Sequence, residues 1–432
     1  MPTSLFLAYS HLSLDLMSVA RPVSVETLSS IPWMSAKSLS QTMREVSIRG
    51  PHDSDTWHNL VSRADVIVAS FNAKQSALVL NSLARIEDKK IMDSHAFIIR
   101  FVKKFLPATV RDMNGLDLAQ VIHAIGAFRS LHVSEDLKTA ISTALPVVVG
   151  QMDSKSLSMT AFGLSRLALW DATSCVLQRA LDVQDSLEDQ SLAQIVSLVA
   201  SCGAADDAKQ LQDLMRCVIQ RVPSISVRSL SLSLNSFARL KVDNSHLVNL
   251  VGERILDAKD TAISRGASLS QLVVILRSLQ KLGVMQQNPR VSHKLVELIS
   301  AKPLDERIPT HIACTLLSAL SRLPGYTALI DQVFILVASR ELSSDQIALL
   351  FQVMARSGIT SAFESVHAKM AASPHSFTGR QISIIAAACE QLPRELTQNT
   401  FTAVAIRSRQ LELSNEIKST DLRSIQFIIN KL

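Results

Sequence analysis

The feature that most limits what this chain can fold into is a local pattern it keeps returning to. An apolar-periodic run closes on a small residue, often then a basic one, and then an apolar one. The clearest copy is Ser226–Leu240, which ends Phe237-Ala238-Arg239-Leu240. Other copies end at Leu83-Ala84-Arg85-Ile86, Ala127-Phe128-Arg129, Leu164-Ser165-Arg166-Leu167 and Ala200-Ser201-Cys202. The series continues through Leu279-Gln280-Lys281-Leu282, Leu320-Ser321-Arg322-Leu323 and Met354-Ala355-Arg356, and fades at Glu390-Gln391-Leu392. The mean period is about 38 residues, with enough scatter to require loops of varying length between otherwise like units. A chain of like units stacks, and each unit buries its apolar face only against its neighbours.

Each unit reads as two helices, a first (A) and a second (B). In Thr310–Arg340, Ile312, Leu316, Leu320 and Leu323 share one face of an A helix, Pro324-Gly325 breaks it, and Leu329, Val333, Leu336 and Val337 line a B helix. Ser343 stands three residues before Gln346, the spacing of a capping box. Asn288-Pro289 reads as an N-cap followed by a proline at the first helical position. The strict alternation of Ser229–Leu234 alone would suit a strand. The wider window, with Val227, Leu230, Leu234 and Phe237 on one face, selects a helix.

Composition agrees. Apolar residues are 47% and charged residues 19% of the 432, which separates the chain from disordered sequences. Only 12 Gly and 13 Pro punctuate it, fewer than a β-sandwich or a phosphate-binding α/β enzyme would spend on turns. The fold class expected is therefore all-α, an α-solenoid of tandem helix-turn-helix repeats. Its expected divisions are an irregular leader and possible targeting segment over 1–36, ten or eleven helix pairs over 37–414, and an incomplete repeat over 415–432. The leader, Met1–Ala20, is acid-poor but has no basic residue before Arg21, so it only half matches a mitochondrial presequence. In the last segment Leu422, Ile425, Ile428, Ile429 and Leu432 make an apolar end, a poor cap for a solenoid. It predicts a protein interface, or a further domain beyond it.

Signals for catalysis are missing. The chain has no P-loop, GxGxxG, GxSxG or HExxH motif. Its five Cys form no CxxC pair and its 11 His are dispersed, so no metal site and no cofactor is expected. Apolar runs such as Ile382–Cys389 are too short to span a bilayer.

Charge is distributed unevenly. Thr261–Val296 holds Arg265, Arg277, Lys281, Arg290 and Lys294 and no acid. Ser94–Arg111 holds Arg100, Lys103, Lys104 and Arg111 and no acid, with Phe97, Phe101, Val102 and Phe105 on the opposite face. Ala180–Asp213, by contrast, is acidic. Two readings of the basic segments stand side by side: solvated helix faces, or the electrostatic footprint of an RNA backbone. The recurrent Arg85, Arg129, Arg166, Arg239, Lys281, Arg322 and Arg356 fall at A-helix ends, where cations complement the helix dipole.

With the repeats aligned, Ala77–Ile86, Leu230–Leu240 and Leu316–Leu323 carry a Leu-x-x-x-Leu-x-Ala-Leu/Phe-Ala-Arg-Leu pattern. In this the chain resembles the organellar α-helical repeat families, the heptatricopeptide and octotricopeptide repeats and the repeat region of FAST-kinase-like proteins. The resemblance implies RNA binding in mitochondria or plastids, for instance of rRNA within an organellar ribosome. No segment matches the RAP domain that ends many such proteins, which favours a binding role over a nuclease-like one. A protein-binding scaffold without RNA, in an organelle or the cytoplasm, is the alternative expectation.

Overall fold

The computed structural model describes residues 29–49, 53–86, 95–128, 131–203, 208–242, 245–257, 262–283, 288–414 and 416–431. Among them helices alternate with short turns and no strand occurs. The all-α repeat architecture read from the sequence is the one observed. By its contacts the chain divides into two compact units, His11–Ile263 and Ser264–Leu432.

The first unit contains six helix pairs among its described residues. Its A helices are α1 (Ala36–Arg49), α3 (Ala73–Ala84), α6 (Gly115–Ala127), α8 (Ser154–Leu167), α10 (Asp189–Cys202) and α12 (Val227–Leu240). Its B helices are α2 (Ser54–Val66), α4 (His95–Arg100) with α5 (Leu106–Thr109), α7 (Glu135–Val148), α9 (Thr173–Asp182), α11 (Ala208–Arg221) and α13 (Ser245–Leu256). A π-turn, Phe101–Phe105, joins α4 to α5. Each A helix lies against the A helix of the next pair, from α1 on α3 to α10 on α12. That order makes the pairs a stack. The second unit repeats it with A helices α14 (Leu269–Lys281), α16 (Thr310–Leu320), α18 (Ser344–Ser357) and α20 (Gly379–Cys389). Their B partners are α15 (Pro289–Ser300), α17 (Thr327–Ala338), α19 (Phe363–Ala372) and α21 (Arg394–Leu413), and α22 (Ser419–Lys431) follows as a last A helix.

The A helices begin in a common way. A buried apolar residue (Phe71, Met113, Met152, Ile225 or Phe377) precedes a short polar N-cap. The caps Asn72, Asn114, Asp153, Ser226, Ser268, Ser343 and Thr378 each accept the backbone N–H three residues on. At Asn72, Ser268, Ser343 and Thr378 a glutamine in that third position reaches back to the cap's own N–H, completing a capping box. Asn288 caps α15 by position, with Pro289 first in the helix, but its side chain makes no capping hydrogen bond.

A second recurrent device ties six of the ten B helices among the described residues to their own A helices. Arg63 on α2 donates through Nη2 to the carbonyl oxygen of Met34 at 2.9 Å, and Arg179 on α9 donates to that of Met152 at 3.4 Å. Arg221 reaches Leu187 in the same way, and Arg254 reaches Ile225 at 2.7 Å. In the second unit Arg340 donates to Ile308, and Arg407 to Phe377 at 3.2 Å. In every clasp one acceptor is the carbonyl of the buried apolar residue just before the A helix. That oxygen falls outside the helical ladder, and the guanidinium satisfies it.

Ser226–Leu240 forms the helix expected of it. Leu230, Leu234 and Phe237 are fully buried, and Leu232, off their face, is buried too. The serines between them are buried as well. Ser231 and Ser236 donate to the carbonyls of Arg228 and Leu232 at 2.8 and 2.9 Å. Turning their hydroxyls onto their own helix lets small polar residues enter the core.

The C-terminal segment departs from expectation. Ile425 and Ile428 are buried, because α22 lies on α20 and α21, and Leu422 is half-buried. Those side chains serve the fold's own core rather than an open interface. The Ile429 side chain and Leu432 lie outside the described residues, as do the leader over 1–28 and Arg129.

Candidate polyanion-binding surfaces

The Ser94–Arg111 segment has the amphipathic form read from its sequence. Phe97, Phe101 and Val102 are buried, with the Phe97 and Phe101 rings 5.5 Å apart and Phe71, just before the A helix α3 of the same pair, 6.0 Å from Phe101. Anchored by these rings, the π-turn carries Lys103 and Lys104 into solvent, and Arg111 is exposed beyond it. Lys104 Nζ stands 5.7 Å from the centre of the Phe105 ring. Neither lysine nor Arg111 forms an ion pair among the described residues. Arg100 does, with Asp65 of α2. The expected four-cation cluster is thus three free cations and one neutralised.

Thr261–Val296 is less uniform than its composition. Arg290 is exposed and Lys281 exposed but engaged. Lys294 pairs with Glu297 one turn on, at 2.9 Å. Arg277 is half-buried on α14. The Arg265 side chain lies outside the described residues. A second π-turn, Ala262–Gly266, falls here, so both π-turns among the described residues lie in the two basic segments.

The A helices of the second unit carry a further arrangement. Arg277 of α14, Arg322 just past α16 and Arg356 in the last turn of α18 occupy three consecutive A helices. Burial holds the Arg277 guanidinium below its usual proton affinity, and the neighbouring Arg322 lowers it further. Arg356 is affected in the same order by burial and by Arg322. No carboxylate or carbonyl partners any of the three among the described residues. In the first unit burial and then Arg44 act likewise on Arg85.

His123 lies on the next A helix after Arg85. Burial first, then Arg85, pushes its imidazole down to about 4. Its ring lies 5.0 Å from that of Phe162 on α8, and its Nδ1 and the Oε1 of Gln120 are buried without a hydrogen-bond partner. Arg166 stacks over the other member of that contact, 5.6 Å from the Phe162 centroid.

Among the described residues no group of three or more His, Cys, Asp or Glu is placed to hold a metal ion, and no helix is long and apolar enough to cross a membrane. Burial pushes the Cys389 thiol up to about 12 and the Cys314 thiol up to about 11, so both stay protonated.

Sequence reasoning missed the B-helix arginine clasps and the Asp65 partner of Arg100. The clasps did leave a signal: an arginine recurs near the B-helix end, 27 to 34 residues after the apolar residue it serves.

No family model matches the chain, and no curated protein does. Among known structures it is similar to a chain in a homology model of the full-length AP-3 complex in an intermediate open conformation, at 12% identity and a TM-score of 0.32, over 93% of this chain and 75% of that one. It is also similar to a circular tandem repeat protein with novel repeat topology and enhanced subunit contact surfaces, at 13% identity and a TM-score of 0.20, over 94% of this chain and 96% of that one.

Proposed function

We propose that this is a non-catalytic RNA-binding helical-repeat protein of mitochondrial gene expression, acting as a structural component of a mitochondrial ribosome or a similar RNA–protein assembly. The observation that carries the RNA reading is the π-turn region, where Lys103, Lys104 and Arg111 stand in solvent with no ion pair among the described residues. Such a cluster attracts a phosphate backbone by counterion release and carries no base specificity of its own. The mitochondrial setting rests on the resemblance of the A-helix pattern to organellar repeats.

The test is RNA binding followed against salt. Reversing both lysines, Lys103→Glu with Lys104→Glu, lowers affinity and reduces the slope of log K against log salt by about one to two. An unchanged affinity and slope defeats the reading.

The scaffold reading has its own observation. Leu413 at the end of α21 is 80% exposed and Phe427 on α22 is 67% exposed, with Ile406 also open. A protein partner covering that end would persist after nuclease treatment of the natively purified protein. RNA released by the same treatment favours the first reading.

A further inference from the structure

We propose that the exposed ridge carrying Lys103, Lys104 and Arg111 seats the two phosphate lines of double-stranded RNA rather than a single strand. This rests on the RNA reading above and names the form of RNA that the same surface takes.

The ridge is one helical segment of uneven pitch, and its sequence explains why. Ile98, Val102, Leu106 and Val110 are buried and recur every four residues. An α-helix turns in 3.6 residues, so three such turns hold about one residue too many. The π-turn Phe101–Phe105 takes it up. It falls where Pro107 has no N–H to give the Lys103 carbonyl and its ring crowds that oxygen. The extra residue widens the outward arc, and Lys103 and Lys104 are both exposed on it. Arg111 is exposed on the same side, seven residues beyond Lys104, a rise of about 10 Å. Between them lie Pro107 and Ala108, small and uncharged. Asp112, next to Arg111, forms no ion pair with it among the described residues.

Three properties select a duplex. An exposed helix face is a ridge, and no ring is exposed along this one: Phe97 and Phe101 are buried and Phe105 is half-buried. Single-strand sites combine a groove with rings on which bases stack, and the ridge offers neither. It is also held in place, since the Phe97 and Phe101 rings stack 5.5 Å apart and Arg100 pairs with Asp65 of α2. Fixed cations suit phosphates that are fixed as well, whereas a single strand must give up its freedom to match them. Lastly, the charge stands at two ends of a smooth stretch. A-form RNA has a wide, shallow minor groove bordered by two phosphate lines. The ridge lies across it, with Lys103 and Lys104 on one line and Arg111 on the other.

The competing account leaves the three cations to solvent, as charged helix faces commonly are. It gives the surface no preference among nucleic acids beyond charge density.

The experiment titrates the full chain at one low salt concentration with three fluorescent probes. They are a blunt RNA duplex of about 16 base pairs, a DNA duplex of the same length and an unstructured oligouridylate of equal phosphate count. Expected is binding of the RNA duplex on the order of tenfold tighter than of either other probe. Lys104→Gln with Arg111→Gln brings the three within about threefold of one another and makes the salt slope on the RNA duplex shallower by about 1.8. Lys103→Gln, a second variant on the same arc, changes that slope by about 0.9. An oligouridylate or a DNA duplex bound as tightly as the RNA duplex overturns the inference, as does a preference that both variants retain in full. If reversal of Lys103 and Lys104 then still weakens oligouridylate binding, the RNA reading stands with a single strand as its ligand. A parent protein that binds none of the probes overturns both.

Discussion

A Cβ built on Gly163 would lie 2.2 Å from the carbonyl oxygen of Ile122, on the neighbouring A helix. Its counterpart is Gly126, where a Cβ would come within 2.8 Å of the Gly163 Cα. Helices α6 and α8 therefore meet backbone to backbone, each supplying a glycine at the crossing. Glycine weakens a helix interior by about 1 kcal/mol relative to alanine. Here the close approach offsets that cost, and both residues are tied to one crossing point.

Gly163→Ala is expected to destabilise the protein by on the order of 3 kcal/mol, because the obstructing atoms are backbone and cannot rotate away. Gly379→Ala is expected to cost less. Its Cβ would meet Cγ1 of Ile417 at 2.6 Å, a side-chain atom that a change of rotamer can move. Urea unfolding of the two variants beside the parent measures the difference. Equal losses would show that the α6–α8 crossing opens without resistance.

The arginine clasps give a second expectation. Arg254→Ala removes a charged donor from two carbonyls at once, and each loses its partner where water reaches poorly. The expected loss is about 1.5–3 kcal/mol, and Arg254→Lys recovers only part of it because the shorter, flexible ammonium lacks the rigid planar head that aims both N–H groups of Nη1. If the clasp is structural only, RNA affinity of the folded variant stays at the parent value. Chemical denaturation paired with a binding titration on one preparation reads both.

Much of this fold was open to sequence reasoning, because an A helix announces itself twice. Leu230, Leu234 and Phe237 recur at helical spacing, and caps such as Ser343 with Gln346 mark where helices start. What stayed hidden lies in partners. Arg100 and Lys103 look alike in the sequence, but Asp65, on another helix, neutralises only the first. Arg254 and Arg322 look alike too. One finds a carbonyl about thirty residues back, and the other stands in solvent. Ile425 and Ile428 read as an exposed end because nothing local shows that α22 folds back on α20 and α21.

Lys241 ends α12 in the left-handed conformation, with φ 54°, where α10 and α18 use Gly203 and Gly358. Its backbone N–H closes the helix on the Phe237 carbonyl. Lys241→Gly keeps that cap and removes the Cβ clash of the left-handed region, for a gain of about 1 kcal/mol. Its side chain is exposed, so no packing is lost. A rise in Tm of a few degrees is the expected reading. A fall would mean that the lysine's charge at the helix end outweighs the strain.

The half-buried His123 sets a pH dependence of known sign. Its imidazole is pushed down to about 4 by burial and then by Arg85, whereas in the unfolded chain it titrates near 6.5. Between those values the unfolded chain takes up a proton that the folded one refuses. This residue's contribution to stability is therefore whole above about pH 6.5 and is lost as the pH falls towards 4, by about 3 kcal/mol in all. At pH 5 the loss is about 2 kcal/mol. His123→Gln keeps a polar ring-sized side chain that does not titrate, so the difference between parent and variant isolates this residue from the carboxylates that also protonate in acid. Urea midpoints at pH 7 and pH 5 are expected to fall further for the parent than for His123→Gln. An equal fall in both would mean that the folded chain protonates His123 as readily as the unfolded one, and that Arg85 does not face it.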